Sequence, residues 1–224
     1  MSNDSHILKR FQEAIFDYDH TAAESLAHKA LGEGTSAKRV ARTLTDAMRE
    51  IGDKFGAGEI YLPELVLASR AGTSAMAVIE DRLTGTSQEP EAAGTVVLGT
   101  VKGDVHDIGK NIVATLFFAA GFKVVNLGVD VAPETFIEAV REHEPDLLGL
   151  SALLTTTMTE QQVVLGQLEA AGLREKVKVL VGGAPVTEDF AVEIGADGYG
   201  ENAFDAVRVG KELLEAAEVE ASVA

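Results

Sequence analysis

The sequence predicts an N-terminal four-helix bundle followed by an α/β domain with a doubly wound, five-stranded parallel sheet of the flavodoxin-like or Rossmann-like type. Three observations support this prediction. Apolar residues recur at helical spacing over the first third, a polar stretch with Gly and Pro follows at 84–94, and short apolar runs then alternate with helical patterns. We therefore expect a helical bundle at 1–85, a linker at 86–93 and the α/β domain at 94–224.

Composition excludes several classes of function. The chain has 224 residues, enough for one large domain or two modest domains, each with its own core. Its formal net charge of −17 disfavours a phosphate-binding surface, so nucleic acid is not an expected partner. There is no cysteine, which excludes disulfides and thiolate sites and is typical of a reducing cytoplasm. No apolar signal core or membrane-length apolar run is present, so we expect a cytoplasmic protein with no membrane contact.

Four helices are predicted in the first part of the chain, each from an apolar stripe at helical spacing. Glycines follow the second and third stripes, and Pro63 suits the first turn of the fourth helix. Four helices joined by short loops are typical of a bundle. The predicted helices cover residues 7–17, 21–31, 40–55 and 65–83.

Strands and helices alternate in the second part. The predicted strands are rich in Val, Leu and Ile, which indicates a sheet covered by helices on both faces. Ligands bind at the carboxyl ends of the strands in such sheets. The predicted strands are 95–101, 123–127, 146–150, 177–181 and 196–199, and the predicted helices are 108–120, 133–142, 159–171, 188–194 and 203–217.

The loop after the first predicted strand contains a histidine between two acids. Asp104 stands two residues before His106 and can orient the ring, as metal-ligating histidines require. His106 is therefore the candidate metal ligand, and the alternative is a solvated loop histidine. Asp107 has an alternative use as the cap of the next helix. We expect Lys102 and Lys110 to be solvated loop residues, and the alternative is contact with carboxamide or phosphate groups of a ligand.

Three other functions of this fold class are disfavoured. The glycines at 99–103 lack the third glycine of a dinucleotide fingerprint, and no Gly-Lys-Ser/Thr phosphate loop is present. A receiver domain would need a phosphoacceptor aspartate after the third strand, where Ser151 stands. Because this fold class carries many different functions, the fold alone does not identify the function of the chain.

The Asp-x-His-x-x-Gly pattern at 104–109 resembles the signature of the cobalamin-binding domain. That domain occurs in methionine synthase, in adenosylcobalamin mutases and in the small corrinoid proteins of methyltransferase systems. Two further motifs of the family follow in order, a Ser-x-Leu at 151–153 and paired glycines at 182–183. The segment 51–66 also resembles the helical module that precedes the cobalamin domain in that family.

The resemblance implies a site for cobalamin with the dimethylbenzimidazole displaced from cobalt and His106 in its place, a state called base-off and His-on. Asp104 and Thr157 would form a hydrogen-bonded relay behind His106. Thr157 or Thr159 could also cap the following helix, and both roles could hold together. Ser151 would hydrogen-bond the buried base, and the paired glycines would leave room for the nucleotide tail. The implied cofactor-binding residues, none of them catalytic, are Asp104, Val105, His106, Asp107, Ile108, Gly109, Ser151, Leu153, Thr155, Thr157, Gly182, Gly183 and Ala203.

The resemblance also implies a stand-alone corrinoid methyl carrier of one-carbon metabolism. In such systems a substrate-specific methyltransferase methylates cob(I)alamin, and a second methyltransferase passes the methyl group of methylcobalamin to tetrahydrofolate or a thiol. A reductive activase is the third implied partner. Whether a carrier of this kind counts as an enzyme is a matter of definition.

In that family the bundle caps the methyl-bearing face of the corrin, with Met76 and Ile79 as candidates for the covering residue here. Two alternatives are a cobalamin-dependent sensor or regulator and the small subunit of an adenosylcobalamin mutase. Free-standing mutase subunits lack the bundle, and a regulator would need room for an output domain. The carrier is therefore the favoured hypothesis.

Overall fold

The computed structural model describes residues 3–83 and 92–223. The chain divides into two compact units, and Gly94 begins the second, while the segment Phe118–Gly121 groups with the first. The predicted linker at 86–93 lies outside the described residues except for Ala92 and Ala93. The linker and the exact domain boundaries therefore stay predictions.

The four helices predicted for the first unit are present. The third begins at Ala37, before the first predicted residue, because its polar first turn lies outside the apolar stripe. Asp19 caps the second helix by accepting a hydrogen bond from the amide of Ala22 at 2.9 Å. The helices are α1 (Asn3–Phe16), α2 (His20–Gly32), α3 (Ala37–Gly56) and α4 (Leu62–Leu83), and their largest fully buried side chains are Phe11, Ile15, Leu44, Met48, Ile51, Leu65 and Ile79.

In the second unit the described residues form a parallel sheet of five strands in the order β2-β1-β3-β4-β5. The strands are β1 (Thr95–Thr100), β2 (Lys123–Asn126), β3 (Leu147–Ser151), β4 (Lys178–Gly182) and β5 (Gly198–Gly200). The helices are α5 (Ile108–Ala119), α6 (Pro133–His143), α7 (Thr159–Ala170), α8 (Glu188–Glu193) and α9 (Ala203–Val223). The predicted fold class is confirmed, with the flavodoxin-like strand order and a short 3-10 helix at Arg174–Lys176 that was not expected.

Strand register brings the functional loops to one edge of the sheet. Thr100, Ser151 and Gly182 form one row across β1, β3 and β4, at the carboxyl end of each strand. The direction of winding changes between β1 and β3, which is where ligands bind in this fold class. The loops after β1 and β3 therefore start side by side at this position.

Close packing on the sheet explains one strand glycine. A Cβ atom at Gly99 of β1 would lie 2.4 Å from Cε1 of Phe136, whose ring is fully buried on α6. An apolar core of this density has no room for a side chain at that position. Of the helices within 3–83 and 92–223, none is both long enough and apolar enough to cross a bilayer.

Candidate cofactor-binding site

Three polar side chains at the edge of the sheet form a continuous hydrogen-bonded chain. His106 and Asp104 lie between β1 and α5, and their Nδ1 and Oδ1 atoms are 2.7 Å apart. Thr157, in the loop between β3 and α7, donates its hydroxyl to Oδ2 of Asp104 at 2.7 Å. The hydrogen bonds expected between these residues are therefore present and connect the two loops.

Asp104 is fully buried and is surrounded by donors. Its Oδ2 accepts from the amides of Leu153 at 2.7 Å and Leu154 at 3.3 Å, and its Oδ1 accepts from the amide of His106 at 3.1 Å. Burial alone raises the pKa of Asp104, but the hydrogen bonds from Thr157, Leu153 and His106 outweigh it and hold the pKa well below its ordinary value. The group is therefore a carboxylate at neutral pH.

The charge on Asp104 determines the proton position on the His106 ring. A carboxylate has no proton to donate, so Nδ1 of His106 must be the donor in their hydrogen bond. In a neutral imidazole, Nε2 then carries the free lone pair. The His106 side chain is 46% exposed, whereas that of Asp104 is 0% exposed. The site thus presents an oriented imidazole nitrogen that can bind a metal.

Large apolar side chains are exposed around His106. Val105 and Ile108, on either side of it in sequence, are 69% and 77% exposed. Leu153 and Leu154, whose amides bind Asp104, are also exposed. An apolar patch of this kind around a polar centre is typical of a ligand-binding surface.

The other predicted site residues follow the carboxyl ends of β3, β4 and β5. Ser151 is half-buried at the end of β3, and its hydroxyl has no hydrogen-bond partner among the described residues. Thr155 is exposed in the same loop as Thr157, and Ala203 is the first residue of α9, after β5. Their contact with a cofactor stays a prediction.

The paired glycines have a structural role within the protein itself. Gly183 has a φ of +126°, and a Cβ atom there would lie 1.7 Å from the carbonyl oxygen of Ala152. A Cβ atom at Gly182 would lie 3.0 Å from the carbonyl oxygen of Gly200. Close backbone approach thus requires glycine at position 183 and leaves only a tight fit for a Cβ atom at position 182, whether or not a nucleotide tail lies against them.

The capping role considered for Thr157 or Thr159 is wrong. The residue before α7 is Met158, and its side chain makes no capping hydrogen bond. Thr159 is the first residue of the helix, and the hydroxyl of Thr157 donates to Asp104 and to the carbonyl of Leu154. Neither hydroxyl caps α7, because the helix begins at Thr159 and the capping position is taken by Met158.

The expectation that Lys110 is a solvated loop residue is also wrong. Lys110 lies in the first turn of α5 and is only 4% exposed. Its Nζ donates to Oδ1 of Asn111 at 2.8 Å and to Oδ1 of Asn126 at 2.6 Å. Sequence reasoning missed this residue because Asn126 lies on β2, and no local pattern indicates the contact.

We expect Asp104→Asn to lower the free energy of unfolding of the apo protein by about 2–3 kcal/mol at pH 7, because buried donors lose their acceptor. Folding lowers the pKa of Asp104, so the stabilisation is complete above the ordinary carboxyl pKa of about 4 and is lost as the pH falls below it. The difference in unfolding free energy between wild type and variant should therefore be smaller at pH 3. Urea denaturation at both pH values measures it.

Asp130→Asn is the matched control for this prediction. Asp130 is exposed, and its Oδ1 accepts a hydrogen bond from the amide of Gly103 at 2.7 Å in the same loop region. We expect a loss below about 1 kcal/mol, because an exposed donor and acceptor can turn to water. Equal losses for the Asp104 and Asp130 variants, or a gap that does not change with pH, would contradict the prediction.

Comparison with known proteins gives matches over both units. Two models described as "B12 binding domain" match residues 94–208 and 7–80. A trimethylamine corrinoid protein from Methanosarcina barkeri is 45% identical over 215 residues, which are 96% of this chain and 99% of the relative. A dimethylamine corrinoid protein from the same organism is 42% identical over 213 residues, 93% of this chain and 97% of the relative.

A solved structure is also similar over nearly the whole chain. It is the methanol:cobalamin methyltransferase complex MtaBC from Methanosarcina barkeri. The matching chain is 30% identical with a TM-score of 0.79, and the match covers 94% of this chain and 80% of that one.

Proposed function

We propose, because this chain belongs to the family of corrinoid proteins with B12 binding domains, that it carries a methyl group between two methyltransferases. Its cofactor is cobalamin. The donor of the methyl group is a methylated amine or methanol in this proposal, since the similar proteins are named for trimethylamine, dimethylamine and methanol.

The observation that carries the proposal is the pairing of His106 with a buried carboxylate. Nδ1 of His106 lies 2.7 Å from Oδ1 of Asp104, so Nε2 is left free to act as a ligand. One imidazole nitrogen is the donor set that cobalamin needs from a protein, because the corrin ring itself supplies the equatorial nitrogens. The exposed apolar side chains of Val105 and Ile108 suit the face of a macrocycle. The residues present therefore fit this cofactor.

When bound, cobalamin supplies the cobalt that accepts and releases the methyl group. His106 would hold the cobalt in this proposal, the arrangement called base-off and His-on. Asp104 and Thr157 hold the ring in orientation.

The nucleotide tail is assigned in this proposal to the ends of β3, β4 and β5. The half-buried hydroxyl of Ser151 can donate to the displaced base, because no described protein group uses it. Leu153 and Thr155 are exposed in the following loop, and Ala203 opens α9. The capping role of the bundle stays a prediction, with Ile79 fully buried and Met76 half-buried.

Three partners belong to the proposal: a substrate-specific methyltransferase, a second methyltransferase with a tetrahydrofolate or thiol acceptor, and a reductive activase. The second and third rest on the resemblance to methyltransferase systems. A cytoplasmic location is part of the same proposal and is supported by the lack of cysteine.

The test uses the full chain loaded with cobalamin. The reduced protein is mixed separately with trimethylamine, dimethylamine and methanol methyltransferases, each with its methyl donor, and the absorption of the bound cofactor is followed. We expect methylation with one enzyme and donor pair, and slower reaction of free cobalamin at the same concentration. A protein that elutes colourless from gel filtration, or that accepts a methyl group from none of the pairs, contradicts the proposal.

A further inference from the structure

A buried lysine and three exposed polar side chains form a cluster directly after His106. Lys110 is 4% exposed, whereas Asp107, Asn111 and Asn126 are exposed. We call these four residues the Lys110 cluster. They come from the loop before α5, from its first turn and from the carboxyl end of β2.

Hydrogen bonds connect the whole Lys110 cluster. Nζ of Lys110 donates to Oδ1 of Asn111 at 2.8 Å and to Oδ1 of Asn126 at 2.6 Å. Nδ2 of Asn126 donates to Oδ1 of Asn111 at 3.1 Å, and Nδ2 of Asn111 donates to Oδ2 of Asp107 at 3.0 Å. The ammonium thus fixes both amides with their oxygens towards Nζ, and the amide of Asn111 holds the residue next to His106.

The position of the lysine is unfavourable for a charge. Both acceptors of Lys110 are neutral amides, and the first turn of a helix disfavours a cation. Burial lowers the pKa of Lys110, and the Asp107 carboxylate partly offsets that effect. The ammonium nevertheless accounts for the orientation of both amide side chains, because each directs its oxygen to Nζ.

A second path leads from the Lys110 cluster back to His106. Oδ1 of Asn126 also accepts from the amide of Gly128 at 3.1 Å, and the carbonyl of Gly128 accepts from the amide of Thr100 at 3.1 Å. The hydroxyl of Thr100 then donates to the carbonyl of His106 at 3.0 Å. Two chains of hydrogen bonds therefore link Lys110 to the His106 loop. One runs through Asn111 to Asp107, and the other runs through Asn126, Gly128 and Thr100 to the carbonyl of His106.

We propose that Lys110 is a positioning residue, which fixes the backbone of the His106 loop through Asn111 and Asn126 while Asp104 fixes the ring. This inference rests on the ligand role proposed for His106. Removing the ammonium frees both amides to turn and releases Asp107. His106 then spends less time in the orientation that ligation needs.

The test compares Lys110→Met with Lys102→Met. Lys102 is exposed and lies four residues before His106, as Lys110 lies four after, so each variant loses one positive charge near the loop. The first readout is the affinity for cobinamide, a corrinoid without the nucleotide tail, which makes binding more dependent on His106. The second is the nitrogen splitting of the bound cobalt(II) in electron paramagnetic resonance spectra. We expect Lys110→Met to bind about tenfold more weakly with reduced splitting, and Lys102→Met to stay within about twofold.

Asn126→Ala provides a second variant that keeps the lysine. Asn126 is exposed, so its truncation leaves the core intact, and we expect a smaller loss in the same direction. If thermal unfolding shows that Lys110→Met does not fold, the Asn126 variant decides alone. Wild-type affinity and splitting in the deciding variant overturn the inference. If His106→Ala itself leaves cobinamide binding unchanged, the proposed ligand role fails instead.

Discussion

Replacing His106 with alanine is expected to lower the rate of methyl transfer by at least about 100-fold. The reason is that loss of partners behind a metal ligand alone costs about 10–100-fold, and here the ligand itself is lost. The cobalt(II) signal of the wild-type holoprotein should show splitting from one nitrogen. That splitting should survive isotopic labelling of the benzimidazole and vanish in His106→Ala.

The matched control is His28→Ala, because His28 is an exposed histidine in α2, outside the second unit. We expect the cobalt(II) splitting and the methyl-transfer rate of His28→Ala to match those of the wild type. Added imidazole should restore part of the lost rate and splitting in His106→Ala, since it can replace the missing ring. An unchanged spectrum and rate in His106→Ala would show that His106 is not the ligand.

Gly183→Ala is expected to reduce the stability of the α/β unit by about 3–5 kcal/mol. A Cβ atom at Gly183 would lie 1.7 Å from the carbonyl oxygen of Ala152, and the φ of +126° adds backbone strain. The ends of β3 and β4 would have to separate, next to Ser151. Scanning calorimetry should show a fall in Tm of about 10 °C or more.

Gly172→Ala is the control that introduces backbone strain without a steric clash. Gly172 has a φ of +67°, but a Cβ atom there would meet nothing within 4 Å. Its loss should be only about 1–2 kcal/mol, the cost of a left-handed backbone for an L-residue. Equal falls in Tm for the two glycine variants would mean that the contact with Ala152 does not explain the requirement at Gly183.

The fold was predictable because its signals are local and repeated. Most strands of the α/β unit are apolar runs that alternate with helical patterns, although β5 is only Gly-Tyr-Gly, so the element order follows largely from periodicity. Boundaries were less predictable, as at Ala37, where a polar first turn hides the helix start. The 3-10 helix at Arg174–Lys176 is too short to produce a periodic signal.

The site was predictable only where a motif carried it. Asp104 and His106 stand two residues apart, and the resemblance supplied Thr157 as their partner. Lys110 had no such signal, because its ammonium is bonded to the side-chain amide of Asn126 on β2, which lies 16 residues further along the chain. Local sequence also could not show that α7 begins at Thr159, which places Met158 rather than Thr157 at the capping position. Long-range polar contacts of this kind need the tertiary structure.

The long sequence separation within the relay has a consequence for how the protein folds. Asp104 is bonded to Leu153 and Thr157, which lie 49 and 53 residues further along the chain. The residues of α5, β2 and α6 lie between the bonded groups in sequence. The bonds therefore require β1 to be paired with β3. The entropic cost of closing a loop grows only slowly with its length, so these contacts become available once strand pairing has brought the two loops together. The two parts of the relay therefore differ in range, since the bonds of Asp104 to His106 lie within one loop and those to Leu153 and Thr157 require the paired strands.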